Sequence, residues 1–145
     1  MNDIKLFFDQ IKYPLIKKNI KLFCKEVLNY NNYSYSSISL IFINPEELRK
    51  MKHEFFNQNF YTDVIAFNLN SQDEDLEGEI YLSFNTIEYN AKLYNVTLET
   101  ELKRVIAHGL LHLIGYEDNT KNKKEEMTEL ENIVIKLFNN IQLTC

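Results

Sequence analysis

His108 and His112 stand four residues apart in Arg104-Val105-Ile106-Ala107-His108-Gly109-Leu110-Leu111-His112, an apolar run with helical spacing. At that spacing both imidazoles project from one helix face about one turn apart, so a single cation can bind both. The chain holds three histidines in all, which makes such a pair uncommon by chance. The plainer alternative is two core histidines, each satisfied by a backbone partner. Burying two titratable rings side by side calls for compensating partners, whereas a shared ion satisfies both, so metal ligation is the expectation.

A third ligand must come from where the chain doubles back. Gly115 is the αL-tolerant residue just past the helix end, and Asp118 follows closely enough for a turn to return its carboxylate to the same ion. Glu117 is its nearest rival. His53, the remaining histidine, sits beside Lys50 and Lys52 and reads as an exposed bystander. Three protein ligands leave a fourth position for water, which distinguishes a catalytic zinc site from a closed structural one and lowers the water's pKa to about 7. One zinc ion per chain is therefore expected on His108, His112 and Asp118. Arg104, one turn before His108 on its face, is a candidate catalytic residue that can meet a phosphate or pair with Glu99 or Glu101.

These side chains need a scaffold. Residues 4–8 read as an opening strand, and Leu15, Ile16, Ile20, Phe23, Cys24, Val27 and Leu28 as a helix after Pro14, which suits a first helical turn. The apolar run 38–43 reads as a buried strand. Asn44-Pro45-Glu46-Glu47 supplies an N-cap, a proline at the first helical position and acids at the positive helix end, opening a helix to about Phe56. Segments 62–69 and 79–84 read as neighbouring strands. From Thr86 the pattern is helical almost to the end. A long buried helix carries Leu98, Leu102, Val105, Ile106, Gly109, Leu110 and Leu113, and a last helix carries Met127, Leu130, Ile133, Val134, Leu137 and Phe138 on one face. The expectation is α+β: a single domain over 1–145, a small mixed sheet packed against helices, with the metal site on the long buried helix.

Composition narrows the function classes. No apolar stretch approaches the roughly 20 residues that a membrane helix needs, and Asp3 and Lys5 stand where a signal peptide would be apolar, so a cytoplasmic protein with no membrane partner is expected. Cys24 and Cys145 resemble neither a disulfide framework nor a metal knuckle. A net charge of -5 argues against nonspecific coating of nucleic acid, although five of the acids cluster at Asp73, Glu74, Asp75, Glu77 and Glu79 and the rest of the chain balances. Local basic patches remain, at Arg49, Lys50 and Lys52 and at Lys121, Lys123 and Lys124, each with a solvated helix face as its simpler reading.

The stretch His108-Gly109-Leu110-Leu111-His112-Leu113-Ile114-Gly115-Tyr116 resembles the signature of the YbeY endoribonucleases, also called rRNA maturation factors. Thr62-Asp63-Val64-Ile65-Ala66-Phe67 and Gly78-Glu79-Ile80-Tyr81-Leu82-Ser83 resemble two strands of that family in the right order. The resemblance implies an α+β domain, zinc, hydrolysis of single-stranded RNA, maturation of small-subunit rRNA and ribosome quality control. Two departures stand out. The family's usual third ligand is a histidine where this chain has Asp118, and a family arginine six residues before the strand motif is replaced by Phe56. Carboxylate oxygen is an ordinary zinc ligand; a substitute for the arginine would be Arg49 or Arg104. Asp63 is a candidate to hold the second nitrogen of a ligand histidine.

Three functions compete. A zinc-dependent endoribonuclease would act through water or the substrate's own 2′-hydroxyl, with the ion stabilising developing charge at phosphorus. A zinc peptidase would need Glu after the first histidine, where this chain has Gly109. The third is a non-catalytic, metal-stabilised ribosome-assembly protein, favoured by Phe56 and by the acidic balance. The scattered tyrosines and phenylalanines from Phe55 to Tyr94 read as core rather than base-stacking platform.

Overall fold

Alternating burial along the early segments dictates strands, and 3.6-residue burial along the later ones dictates helices. The computed structural model describes residues 2–9, 13–70 and 75–145. In chain order the described elements are β1 (Asp3–Phe8), α1 (Lys17–Tyr30), β2 (Tyr35–Phe42), α2 (Pro45–Phe56), β3 (Val64–Asn68), β4 (Leu76–Leu82), α3 (Phe84–Leu93), α4 (Leu98–Leu113) and α5 (Lys121–Leu137). The strands form one mixed sheet in the order β1-β2-β4-β3. β1 and β4 each run parallel to β2, and β3 is an antiparallel edge strand against β4. This is the expected α+β domain with a small mixed sheet.

Helix α4 is the centre of the molecule. Leu102, Ile106, Leu110 and Leu111 along it have no exposed surface, and each buried leucine or isoleucine stabilises the fold by roughly 1.5–3 kcal/mol. Its contact with the sheet is close because position 109 lacks a side chain: a Cβ on Gly109 would come within 2.9 Å of Ile80 and 3.3 Å of Val64. The glycine after His108 therefore faces β3 and β4. Helix α2 lies on the other side of β3, where Phe55 and Phe56 pack against Phe67 with ring centroids 5.3 and 5.8 Å apart.

Helix ends follow local chemistry. Asn44 accepts the Glu47 amide at 2.8 Å with Pro45 at the first position, as its sequence implied, and Ser83, Thr97 and Thr120 cap α3, α4 and α5 in the same way. Asn32, Asn57 and Asn95, with φ of 60°, 53° and 56°, take the left-handed positions at or just past the ends of α1, α2 and α3 in a chain that has few glycines.

Three expectations need correction, and one falls partly outside the described residues. Pro14 does not open α1, which begins at Lys17; the preceding segment instead pairs with the C-terminus through Leu15 opposite Thr144, and the Pro14 carbonyl accepts the Cys145 amide. The strand expected over 79–84 starts earlier, at Leu76, and Phe84 already belongs to α3. In the acidic cluster, Asp73 and Glu74 lie outside the described residues. On α5 the buried stripe is Met127, Glu131 and Val134, while Ile133 and Leu137 are exposed.

Candidate metal centre

The C-terminal end of α4, which carries the site, is held by side-chain hydrogen bonds. Its orphan carbonyls find side-chain donors: Asn68 on β3 donates to the Leu113 carbonyl at 2.8 Å, and Tyr33 donates to that of Ile114 at 3.3 Å. Gly115 then turns with φ of 107°, its amide bonding the His112 carbonyl and the Tyr116 amide bonding that of Leu111. The chain reverses here, as the glycine implied, and Asp118 comes back over the helix face.

Hydrogen bonds fix both imidazole rings. Glu131 on α5, almost wholly buried, accepts from His108 Nδ1 at 2.7 Å, and the Tyr116 carbonyl accepts from His112 Nδ1 at 3.0 Å. With both Nδ1 atoms donating, each Nε2 presents a lone pair. Those two atoms face each other at 3.0 Å, and the Asp118 carboxylate lies 3.3 Å from His108 Nε2 and 3.7 Å from His112 Nε2. Ligand atoms about 2 Å from a tetrahedral ion are separated by roughly 3.3 Å, so the observed spacings suit one ion touching all three. His108, His112 and Asp118 can thus hold a metal ion.

The surrounding charge is organised around Glu131. Arg104 donates to Glu131 at 3.0 Å and to Asn132 at 2.7 Å, so its hydrogen-bond partners are on α5, while its charge also acts on Glu101. Burial pulls the His108 pKa down, but the hydrogen bond and charge of Glu131, with Asp118 and Asp63 behind, outweigh it and the net shift is upward. Burial and the neighbouring His108 lower His112, and the charge of Lys52 adds to that. Asp63, Glu101, Arg104, His108 and Glu131 line a cavity of about 140 Å³. Burial raises the carboxyl pKa of both Asp63 and Glu101.

Asp63 is close enough for its charge to reach His108, but the ring's second nitrogen belongs to Glu131. Glu117 turns away to Lys123 at 3.3 Å, and His53 is exposed on α2. Arg49 is engaged with Glu46 and Asn59. Phe56 lies under the Lys52 ammonium, 4.9 Å from its ring centre. Glu131 is the site residue that the sequence reading missed, although its spacing from Met127 and Val134 places it in the buried stripe of α5.

The family model for endoribonuclease YbeY matches residues 6–139. The chain is 34% identical over 140 residues to endoribonuclease YbeY of Cytophaga hutchinsonii, covering 94% of this chain and 98% of the relative. It is 41% identical over 101 residues to that of Flavobacterium johnsoniae, covering 70% and 72%. The solution structure of a Thermotoga maritima protein superposes with a TM-score of 0.61 at 27% identity, covering 95% of this chain and 93% of that one. Matched along nearly its whole length in sequence and in fold, the chain belongs to the endoribonuclease YbeY family.

Proposed function

We propose that this protein is a zinc-dependent endoribonuclease that cuts single-stranded RNA in the cytoplasm during maturation of small-subunit rRNA, with His108, His112 and Asp118 as the ligands of one ion. The observation that carries this reading is the convergence of His108 Nε2, His112 Nε2 and the Asp118 carboxylate, spaced 3.0 to 3.7 Å from one another. Two imidazoles and one carboxylate suit zinc, and three ligands leave a coordination position open. When bound, the ion supplies Lewis-acid chemistry, drawing charge from a phosphodiester and making hydroxide available near neutral pH.

The chain's own residues do the rest. Glu131 holds the His108 ring in the tautomer that presents Nε2, and Arg104 holds Glu131. That arrangement makes Arg104 a positioning residue in this reading. Gly109 offers no general base where a zinc peptidase needs one, and it is packed against Ile80.

The assembly-protein alternative has one observation in its favour: Arg49 and Arg104 are both committed to carboxylates. A single experiment separates the two. Purified protein is assayed for zinc content and for cleavage of an end-labelled single strand and its duplex, with and without chelator. Chelator-sensitive cleavage that favours the single strand and vanishes in His108→Ala supports the enzyme. Full zinc content without cleavage supports the assembly protein.

A further inference from the structure

Next to the metal cluster lies a second, larger concavity that the ligand geometry does not use. It has a volume of about 640 Å³, within the 300–1,000 Å³ typical of small-molecule sites, and lies among the start of α2, the approach to β3 and the outer face of α3. Tyr61, Tyr89 and Tyr94 line it, and each exposes more than half of its surface. The sequence reading of these aromatics as core is thus corrected. On α3, Phe84, Ile87 and Ala91 are buried, which leaves Asn85, Tyr89 and Asn90 to the cleft.

Three features identify its ligand class. Tyr61 is held in place, its hydroxyl donating to Glu46 at 3.0 Å and the Arg49 guanidinium lying 5.5 Å from its ring centre, so this aromatic wall is preorganised. Among the described residues no lysine or arginine lines the cleft, so it suits a neutral flat group rather than a phosphate. The amide of Asn85 adds donors and acceptors to aromatic faces, the combination that binds unstacked bases by their rings and edges. Asp63 lines both this cleft and the small cavity containing His108, so the two spaces meet at one residue.

We propose that the cleft walled by Tyr61, Tyr89 and Tyr94 is a nucleobase subsite, which seats one unstacked base of the RNA strand whose backbone crosses the metal centre. The proposal rests on the endoribonuclease reading and adds to it the group that orients the strand. Tyr89 and Tyr94 provide the stacking surface, and the base lies on the Asp63 side of the metal cluster.

The test is fluorescence anisotropy with the full chain and two labelled probes, a short 2′-O-methyl oligoadenylate and an abasic strand of the same length. The oligoadenylate is expected to bind more tightly. Tyr89→Ala and Tyr94→Ala each raise its Kd by about fivefold or more, with little change for the abasic strand. Tyr89→Phe keeps parental affinity because the ring remains, and Tyr30→Ala, an exposed tyrosine outside the cleft, changes nothing. Zinc content and melting temperature serve as checks that each variant is folded. Equal affinity for both probes, or alanine variants that bind like the parent, overturns the subsite while leaving an RNA-cleaving parent intact as an enzyme. A parent that neither binds nor cuts any strand overturns the endoribonuclease reading, and the subsite falls with it.

Discussion

Helix α4 carries ionisable side chains at both ends, and the two ends treat them differently. Near its start, Glu99 accepts from the Leu143 amide at 2.7 Å and from the amide and hydroxyl of Thr144 at 2.9 and 2.8 Å. One turn on, the buried Lys103 donates to the Phe138 and Asn139 carbonyls, where the dipole of α5 is negative. Donors there meet acceptors, and the group is complete without a ligand. At the other end, the Nε2 atoms of His108 and His112 and the Asp118 carboxylate converge on one another. Polar groups that close on themselves fasten the fold; polar groups that converge on a shared deficiency mark a site.

The largest expected effect follows at the second end. His108→Ala and His112→Ala together should take the purified protein from one zinc ion per chain to none, measured by elemental analysis. Retained stoichiometry would erase the contrast between the two ends. Asp118→Ala should likewise lose the ion at a chelator concentration that the parent withstands, Asp118→His should keep it, and Glu117→Ala, whose carboxylate is turned to Lys123, should match the parent.

How much of this was legible in the sequence depends on the range over which each signal acts. The caps at Asn44 and the stop at Gly115 were readable because they are chemistry within one turn of chain. The histidine pair was readable for the same reason. Pro14 misled because its surroundings are set by the C-terminal residues 143–145, a pairing that no local pattern announces. Glu131 was hidden differently. A stripe drawn through apolar residues picks Ile133 and Leu137, which are exposed, and passes over the carboxylate that shares the buried face with Met127 and Val134. A charged residue at a core spacing was the available signal, and its partners lie on another helix.

An intermediate effect sharpens the comparison through that same Glu131, which belongs to the site yet is itself satisfied by His108 and Arg104. Glu131→Gln should keep the fold and weaken zinc binding by about 10–100-fold, because the His108 ring loses a charged acceptor that orients it and strengthens its lone pair. Chelator competition at fixed pH measures this. Parental affinity in the variant would show that Glu131 only fastens α5 to α4, as Glu99 fastens the C-terminus.

The smallest effect belongs to the closed end. Glu99→Gln removes the charge that accepts three hydrogen bonds, and should cost about 1.5–3 kcal/mol of stability at neutral pH with zinc content unchanged. Its pH dependence can be signed. Burial raises the Glu99 pKa, but the donors from Leu143 and Thr144, together with Lys103, outweigh that and hold it below its ordinary value of 4.5. A carboxylate whose folded pKa is depressed adds stability that is present above the unfolded value and is lost as pH falls through the folded one. The gap between parent and Glu99→Gln in urea unfolding should therefore be full above about pH 5 and should close as pH drops below 4.5. A gap that is constant down to acid pH would mean that the glutamine makes the same contacts, and a gap accompanied by zinc loss would mean that the two ends of α4 are not separable.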